Sequence, residues 1–506
     1  MLWSISMNGQ FERSGVPVSW SLTNQTLLFP SWHVLQELNQ EALIAEDEMQ
    51  TFDRSKPYRF ASALQTDFSL DNSGRWTNLL NGDRIWILGI EMGSAFSLGI
   101  TLRNIDLPRG GRIYIYTEDH GDYLGPLTSR DNTSGFLGIP HIRGERIVIE
   151  YYEPYAYRGD GRFIVDHVAG AYRDLSDPAV SAELSCYRQV NNLNSPSGAS
   201  RVASSVLMMM VDYGQKMASA ALLNNSKSDA TPYVLTSSEC LIGPASSWVF
   251  YFNMNQFRCS DFFSCDRMVL SGANIVRNDI EQGVGLLKLF KSPPAAWDVF
   301  FCGWSLGEGG IPASLIGLHH SEALSLAISE YETSWTESNT DDRSIINLEL
   351  ASDGRTFQGS LGAPLFDDEW NLIGIFTGGS DRCDSPGSDQ FALLVESWSG
   401  MGTFLDPLQI VQNKIPGIYP EFPFDTAQTV AEEISFFPNP ANDWIYVRNE
   451  SESRILSVVL MNSAGQVVQS FQPTVPTISI EGLPEGFYFI EFITGKSKFT
   501  HKLLVR

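Results

Sequence analysis

Hydrophobic and polar positions alternate along the first third of the chain, and turn residues interrupt the alternation at short intervals. β-forming residues cluster in runs such as 112–116 (RIYIY) and 147–152 (IVIEYY), while turn formers fill stretches such as 71–74 (DNSG) and 107–111 (LPRGG). Alternation of period two between turn signals predicts short strands with one buried face. We therefore predict a β-sandwich of about eight strands as a first domain over residues 1–178.

The longest apolar run lies at residues 202–211 (VASSVLMMMV). A transmembrane helix needs about 20 consecutive apolar residues, so this run predicts a buried strand rather than a membrane span. We expect no transmembrane segment elsewhere in the chain, because no other run approaches that length.

Two changes of pattern divide the rest of the chain. Residues 404–433 are rich in proline, glutamine and acidic residues and lack periodicity, which predicts a linker. Short alternating segments separated by glycine and proline return over 434–506 and predict a small β-sandwich. Residues 179–403 remain as a central domain. A chain of 506 residues is too long for one core, and its 43% hydrophobic and 12% aromatic content suits globular, β-rich domains.

The charge of the chain limits its partners. With 34 basic and 59 acidic residues, the net charge is -25. Such a surface repels phosphate backbones, so we expect no nucleic acid partner. Basic peptides or proteins are compatible with it, and so is an acidic surface that binds nothing. HExxH, Walker-type, GxSxG and CxxC motifs do not occur, so we expect no cofactor and no metal site.

Residues 359–364 (GSLGAP) hold the candidate chemistry. They resemble the G-x-S-G-x-P nucleophile turn of trypsin-like serine peptidases, with Leu361 in place of the serine. Further similarity to the lysyl endopeptidase-like branch, known from secreted proteins of Bacteroidetes-type bacteria, runs from about Cys186 to Trp398. It includes 218–225 (ASAALLNN) and 232–240 (PYVLTSSEC). The resemblance implies a central double β-barrel and therefore an all-β protein.

The resemblance also locates a degenerate catalytic triad. Glu239 stands at the position of the catalytic histidine, Gly283 at that of the aspartate and Leu361 at that of the serine. Serine attack needs a hydroxyl, a base and a carboxylate that orients the base. Neighbouring Ser360 is a poor substitute because adjacent side chains on a tight turn point in different directions. We therefore predict an inactive peptidase homologue.

Histidines elsewhere leave an alternative open. A different nucleophile and base could form a rearranged site, which would make the protein an active lysyl or arginyl endopeptidase. His319 and His320 match a family landmark outside the triad, and we interpret this pair as packing residues beside an apolar run.

Two binding features remain in the resemblance. In lysine-specific relatives an aspartate after the last cysteine lies in the primary specificity pocket, and Asp389 occupies that position here. A carboxylate at the base of an apolar pocket selects a cationic side chain; the alternative is an aspartate on a surface loop. The backbone N–H groups of Gly359 and Leu361 are candidates for an anion-binding nest.

Six cysteines suggest disulfides if the protein is exported. The family resemblance implies a bridge between Cys186 and Cys383. Cys259 and Cys265 are six residues apart, a spacing that allows a local bridge. Cys240 and Cys302 then either pair with each other or stay free, and we slightly favour pairing.

Export is predicted from the C-terminus. Residues 436–443 (FFPNPAND), 461–468 (MNSAGQVV) and 483–488 (LPEGFY) resemble, in order, three motifs of the C-terminal sorting domain of type IX secretion. This implies passage across the outer membrane, handling by the type IX machinery and a sortase, and surface attachment or release. An ordinary adhesive module is the alternative. Residues 1–7 do not look like a signal peptide, so we expect the true start to lie upstream or to have been removed.

The leading functional hypothesis is binding. We expect an exported protein that captures a protein or peptide outside the cell, and a basic ligand is compatible with its acidic surface. The first domain looks like the region that precedes the peptidase in the same family, where it can serve as a pro-segment. A structural or decoy role at the surface is a further alternative.

Overall fold

The computed structural model confirms an all-β protein. It describes residues 10–11, 15–22, 30–49, 54–176, 187–190, 198–254, 263, 268–307, 312, 314–322, 326–340, 343–350, 354–380, 387–411, 413–420, 434–437, 441, 444–449, 455–462, 467–471, 477–480, 482–484, 486–494 and 498–505. The chain forms two compact units, residues 1–420 and 421–506.

The strands of the first unit are β1 (Ser31–Val34), β2 (Tyr58–Arg59), β3 (Ala61–Ser69), β4 (Arg75–Asn78), β5 (Arg84–Glu91), β6 (Ser97–Asp106), β7 (Arg112–Thr117), β8 (Tyr123–Leu127), β9 (Thr133–Arg143), β10 (Arg146–Glu153), β11 (Arg162–Ala171), β12 (Val206–Val211), β13 (Lys216–Leu223), β14 (Tyr233–Ser237), β15 (Val249–Tyr251), β16 (Val269–Ser271), β17 (Ala273–Asp279), β18 (Val284–Leu289), β19 (Trp304–Ser305), β20 (Leu315–His319), β21 (Ala327–Thr340), β22 (Arg343–Leu350), β23 (Pro364–Phe366), β24 (Leu372–Gly379), β25 (Ser388–Leu393) and β26 (Lys414–Ile415). Its α-helices are α1 (Gln40–Met49), α2 (Ala199–Ala203) and α3 (Trp398–Leu405), and its 3-10 helices are Val18–Ser21, Ser129–Asp131, Tyr155–Tyr157, Ser238–Cys240, Ala245–Ser247 and Ala295–Trp297.

A two-sheet sandwich forms the first part of this unit. One sheet has six strands in the order β1-β5-β10-β7-β8, with β4 also paired to β5; the other has four, in the order β3-β11-β6-β9. Side chains from both sheets, such as Leu88, Ile149 and Leu102, bury the core between them. The sandwich matches the alternating pattern of the sequence.

Two curled sheets follow the sandwich. The first has the strand order β16-β15-β12-β13-β14-β18-β17, with the short strand β2 added to β13. The second closes into a six-stranded barrel, because β23 pairs with both β20 and β24. This pair of sheets matches the double barrel that the resemblance implied, and we refer to them as the first and second barrels.

Strand β12 of the first barrel has an apolar sequence throughout, because side chains on both of its faces are buried. Met208 and Met210 pack into the core of the N-terminal sandwich, while Leu207 and Met209 fill the barrel interior. Val206 joins a third cluster, which lies between the two barrels. A strand buried on both faces needs no polar alternation, so the expected buried strand is confirmed over Val206–Val211. The first residues of the predicted run, Val202 and Ala203, lie instead in α2.

The predicted linker over 404–433 is wrong for its first half. Leu405 and Ile415 are buried among residues of the two barrels, and β26 pairs with β19. Phe301 and Ile418 exchange backbone hydrogen bonds of 2.8 Å in each direction. Irregular sequence can pack as extended chain when its few apolar residues reach a core. Residues 421–433 lie outside the described part of the chain.

The second unit is a separate small sandwich. Its strands are β27 (Ile434–Phe437), β28 (Trp444–Asn449), β29 (Ile455–Asn462), β30 (Val467–Phe471), β31 (Thr477–Ser479), β32 (Gly486–Thr494) and β33 (Lys498–Val505). They form sheets with the orders β27-β28-β31 and β30-β29-β32-β33. Ile445, Leu460 and Ile490 lie in the core between them.

Candidate functional site

The three residues that the sequence predicts at the triad positions all lie against or within the first barrel. Glu239 lies on the 3-10 turn after β14, and Gly283 lies directly before β18. The Ser238 N–H donates to the Gly283 carbonyl at 3.0 Å, and the Ser219 N–H of β13 donates to the Leu361 carbonyl at 2.8 Å. These bonds hold the turn of Glu239 against Gly283 and the turn of Leu361 against β13. The assignment of the three residues to the triad positions stays a prediction.

The turn that carries Leu361 fits tightly against the first barrel. Gly359 and Gly362 have φ angles of +94° and +80°, a region in which side chains are strained. A Cβ at Gly362 would also collide with Thr236 and with the carbonyl of Ser219. The glycines of the peptidase turn are thus still required for the local shape, although the residue between them has changed.

Leu361 is a core residue. Its side chain is 0% exposed and packs in the interior of the first barrel with Val234, Cys240 and Leu287. Glu239, by contrast, is exposed, and Gly283 has no side chain. These three residues carry no hydroxyl and no imidazole, and the carboxylate of Glu239 is exposed.

Ser360 turns to the opposite side and joins a buried cluster that the sequence did not predict. His319 Nδ1 lies 2.9 Å from both Ser360 Oγ and Ser321 Oγ, and its Nε2 lies 3.0 Å from Ser329 Oγ. Burial lowers the pKa of His319 to about 3, helped by the nearby charges of His320 and Arg54. The imidazole is therefore neutral in the folded protein and a weak base.

Complete burial favours a structural role for this cluster over a catalytic one. All four of its side chains, on His319, Ser321, Ser329 and Ser360, are 0% exposed. The Ser360 hydroxyl also accepts the Phe357 N–H at 3.1 Å, which closes the turn from within. The interpretation of His319 as an interior residue agrees with this burial.

Asp389 is buried among polar side chains of the second barrel, and we call the space around its carboxylate, which Thr356, Tyr331 and Arg54 line, the Asp389 pocket. Asp389 lies on β25 and is 0% exposed, so the surface-loop alternative is wrong. Its carboxylate accepts from Thr356 Oγ1 at 3.0 Å and from Tyr331 OH at 2.9 Å. Arg54, which is 335 residues away in sequence, contacts it at 3.3 Å.

The pocket's partners could not have been found from sequence. Nothing in the residues around Arg54, Thr356 or Tyr331 marks them as neighbours of Asp389, because only the barrel brings them together. Burial, followed by the charge of Asp389, raises the pKa of Tyr331 well above its ordinary value, so this phenol stays a donor.

The anion-binding nest stays a prediction. Gly359 and Leu361 are both enclosed by protein. A Cβ at Gly359 would lie 3.0 Å from the Glu322 nitrogen and 3.1 Å from the His320 oxygen, so a neighbouring segment already covers the turn.

The slight preference for a Cys240–Cys302 disulfide is wrong. Both thiols are free and buried. Cys240 lies inside the first barrel, whereas Cys302 lies in the cluster between the barrels, so the two side chains occupy different cores. Burial raises the pKa of each thiol to about 12. The other four cysteines, Cys186, Cys259, Cys265 and Cys383, lie outside the described residues.

The described ranges show neither a cluster of metal ligands nor a membrane-spanning helix. There, no three His, Cys, Asp or Glu side chains are grouped so that they could hold a metal ion. Over the same residues, the helices are too short or too polar to cross a membrane.

Family comparisons agree with this geometry. Residues 179–392 match the C-terminal domain of lysyl endopeptidase, and residues 435–506 match the secretion system C-terminal sorting domain. The central domain is therefore similar to the C-terminal domain of lysyl endopeptidase. The sorting domain indicates export through the type IX system, to the cell surface or the surroundings. The similarity to lysyl endopeptidase and the sorting domain that the sequence suggested are confirmed, whereas the loss of the triad stays a prediction.

Individual relatives are distant. Lysyl endopeptidase of Pseudomonas aeruginosa is 24% identical over 275 residues, which cover 50% of this chain and 58% of that protein. An inactive form of Rv3671c from M. tuberculosis H37Rv has a TM-score of 0.31 and 14% identity, covering 47% of this chain and 97% of that chain. The serine endoprotease from Yersinia pestis has a TM-score of 0.29 and 12% identity, covering 60% and 94%.

Proposed function

We propose that this exported lysyl endopeptidase homologue has lost catalysis and acts by binding a protein or peptide at or outside the bacterial outer membrane. The observation that carries the proposal is the position of Leu361. Its side chain is buried in the barrel interior, so the position predicted for the nucleophile offers no hydroxyl to a substrate.

Two further features support the loss of catalysis. Glu239 is exposed on its turn, and Gly283 supplies no carboxylate to orient a base. Without a triad, catalysis over water falls to the roughly 10³–10⁴-fold that binding and oxyanion contacts provide. Such a residual rate does not support a peptidase function.

A rearranged site at Ser360 and His319 is the competing proposal, because these two side chains are 2.9 Å apart. A nucleophile and its base need this distance. Their complete burial argues against it, since a substrate carbonyl must also come within about 3 Å of the nucleophile. The low pKa of His319 further weakens it as a base.

A binding role is supported by what the fold retains. Asp389 keeps a buried carboxylate in the second barrel, and the pocket around it holds a guanidinium in this structure. The net charge of -25 attracts basic ligands over a distance. We propose a basic protein or peptide as the ligand, and a sortase as the processing partner of the sorting domain.

The test combines a chemical probe with substrates. Purified mature protein is incubated with a fluorophosphonate probe and with lysyl and arginyl peptide substrates, beside an active lysyl endopeptidase. We expect no labelling and no cleavage. Labelling that disappears in Ser360→Ala would establish the rearranged site and overturn the proposal.

Binding is measured separately, with the full chain immobilised and exposed to sets of basic, neutral and acidic peptides. We expect retention of basic peptides that decreases with salt, because screening weakens charge attraction between exposed groups. Equal retention of all three sets would contradict a basic ligand.

A further inference from the structure

Arg54 enters the Asp389 pocket as a ligand would. Its Nη1 donates to the Thr356 carbonyl at 2.8 Å and to Thr356 Oγ1 at 2.6 Å, and it lies 3.3 Å from Asp389 Oδ1. Arg54 is only 7% exposed and Asp389 is 0% exposed. A long cationic side chain therefore reaches from one part of the chain to a carboxylate at the bottom of a pocket in another.

The backbone beside Asp389 and Arg54 packs closely against them. Two glycines at the end of β24 form one wall: a Cβ at Gly379 would lie 2.6 Å from Asp389 Oδ1, and a Cβ at Gly378 would lie 3.4 Å from the Cβ of Ser55. Ser55, the residue after Arg54, thus lies beside the glycines that end β24. This arrangement suits an extended peptide whose backbone follows the strand.

The segment that begins at Arg54 crosses from the second barrel to the first. Four residues further on, β2 pairs antiparallel with β13, with Tyr58 opposite Met217 and Arg59 opposite Lys216. Addition of an extended segment to a sheet, with alternate side chains in pockets, is a common way of binding peptides. Here the chain's own N-terminal region occupies that position.

The fit of Arg54 is incomplete. A guanidinium has five N–H donors in a fixed plane, and its Nη2 is buried without a hydrogen-bond partner among the described residues. An unpaired buried donor lowers the stability of the contact. A different cationic side chain that leaves no donor unpaired can therefore compete for the same carboxylate.

We propose that Arg54 is a built-in occupant of a cation pocket, and that its segment keeps the pocket closed to the lysine or arginine side chain of an external peptide. Displacement of Arg54 opens the pocket. The inference deepens the proposed function by assigning its ligand chemistry and its regulation, and it rests on that function only for the biological ligand. The internal contact itself is independent of whether the protein is catalytically active.

The experiment uses the full chain with Arg54→Ala, and 4-aminobenzamidine as the probe, since its fluorescence increases in an apolar pocket. We expect at least about tenfold tighter binding to Arg54→Ala than to wild type, because a desolvated charge pair is worth more than one factor of ten. Arg54→Met is the matched control, because it removes the charge but keeps most of the volume. It should bind the probe no better than wild type.

Asp389 is tested by the double variant Arg54→Ala/Asp389→Asn. This variant lacks both charges of the pair, so neither is left buried without its partner. We expect it to fold and not to bind the probe. Equal probe binding by the single and double variants, or by Arg54→Ala and wild type, would overturn the inference.

Thermal unfolding provides a second test, which remains informative if Arg54→Ala is less stable than wild type. Removing one partner of a buried ion pair is strongly destabilising, so we expect the Tm of Arg54→Ala to fall by about 10 °C. Methylguanidinium should recover part of this loss, while sodium ions at matched ionic strength should not. Equal effects of the two cations would mean that the contact is only structural.

Fluorophosphonate labelling of the same variants separates the two proposals. If the variants both bind the probe and become labelled, Arg54 remains the occupant and the loss of catalysis is overturned. If they show no probe binding and no labelling, the role of Arg54 is overturned and the loss of catalysis stands.

Discussion

The thiol of Cys240 points at the carbonyl oxygen of Leu361, with Sγ and O 3.8 Å apart in the interior of the first barrel. The sequence motifs predict the residue before Cys240 at the histidine position and Leu361 at the serine position. The two turns that carry these residues meet in a hydrophobic core.

We predict that Leu361→Ser destabilises the protein without producing activity. The substitution removes a buried leucine and places a hydroxyl in an apolar core, which costs about 2–5 kcal/mol. Leu361→Met, which conserves volume, should cost less than about 1.5 kcal/mol. Denaturant unfolding gives both values, and the fluorophosphonate probe should label neither variant. An unchanged stability of Leu361→Ser would mean that the side chain is not packed in the core.

The second prediction concerns pH. The pKa of His319 is about 3 in the folded protein, whereas an imidazole in the unfolded chain has its ordinary pKa of 6.5. Between these values the unfolded chain binds a proton that the folded protein does not, so stability falls as the pH falls through this window.

His319→Gln should therefore lose less stability than wild type on acidification, by about 1.4 kcal/mol per pH unit. Urea unfolding at several pH values between 7 and 4 measures this difference in slope. His120→Gln is the matched control, because His120 is exposed. Parallel curves for wild type and His319→Gln would show that the imidazole is not held neutral by burial.

The third prediction is that the N-terminal sandwich cannot be removed. Met208, Met210 and Tyr251 of the first barrel lie in the sandwich core, so a chain that starts at residue 179 exposes an apolar face that favours aggregation. Size-exclusion chromatography should find residues 179–420 aggregated and residues 1–420 monomeric. A folded monomer of residues 179–420 would favour a separable pro-segment.

The fourth prediction concerns export. Deletion of residues 436–506 should leave the protein in the periplasm of a type IX-competent host, because the machinery then lacks its sorting domain. Cell fractionation with immunoblotting locates the protein, and the full-length Leu361→Met variant serves as an export control. Surface delivery of the truncated form would contradict a sorting role.

Alternation and turn residues, which are local properties of the chain, determined the two sandwiches and the all-β class. The double barrel, the sorting role and the assignment of Glu239, Gly283 and Leu361 to the triad positions came instead from motifs that resemble known families. Only tertiary structure decided the surroundings of these residues. The burial of Leu361, the pairing of Arg54 with Asp389, and the separation of Cys240 from Cys302 depend on contacts between distant segments. Residues 404–420 became part of the barrels for the same reason, because a core can recruit a segment whose own sequence has no periodic pattern.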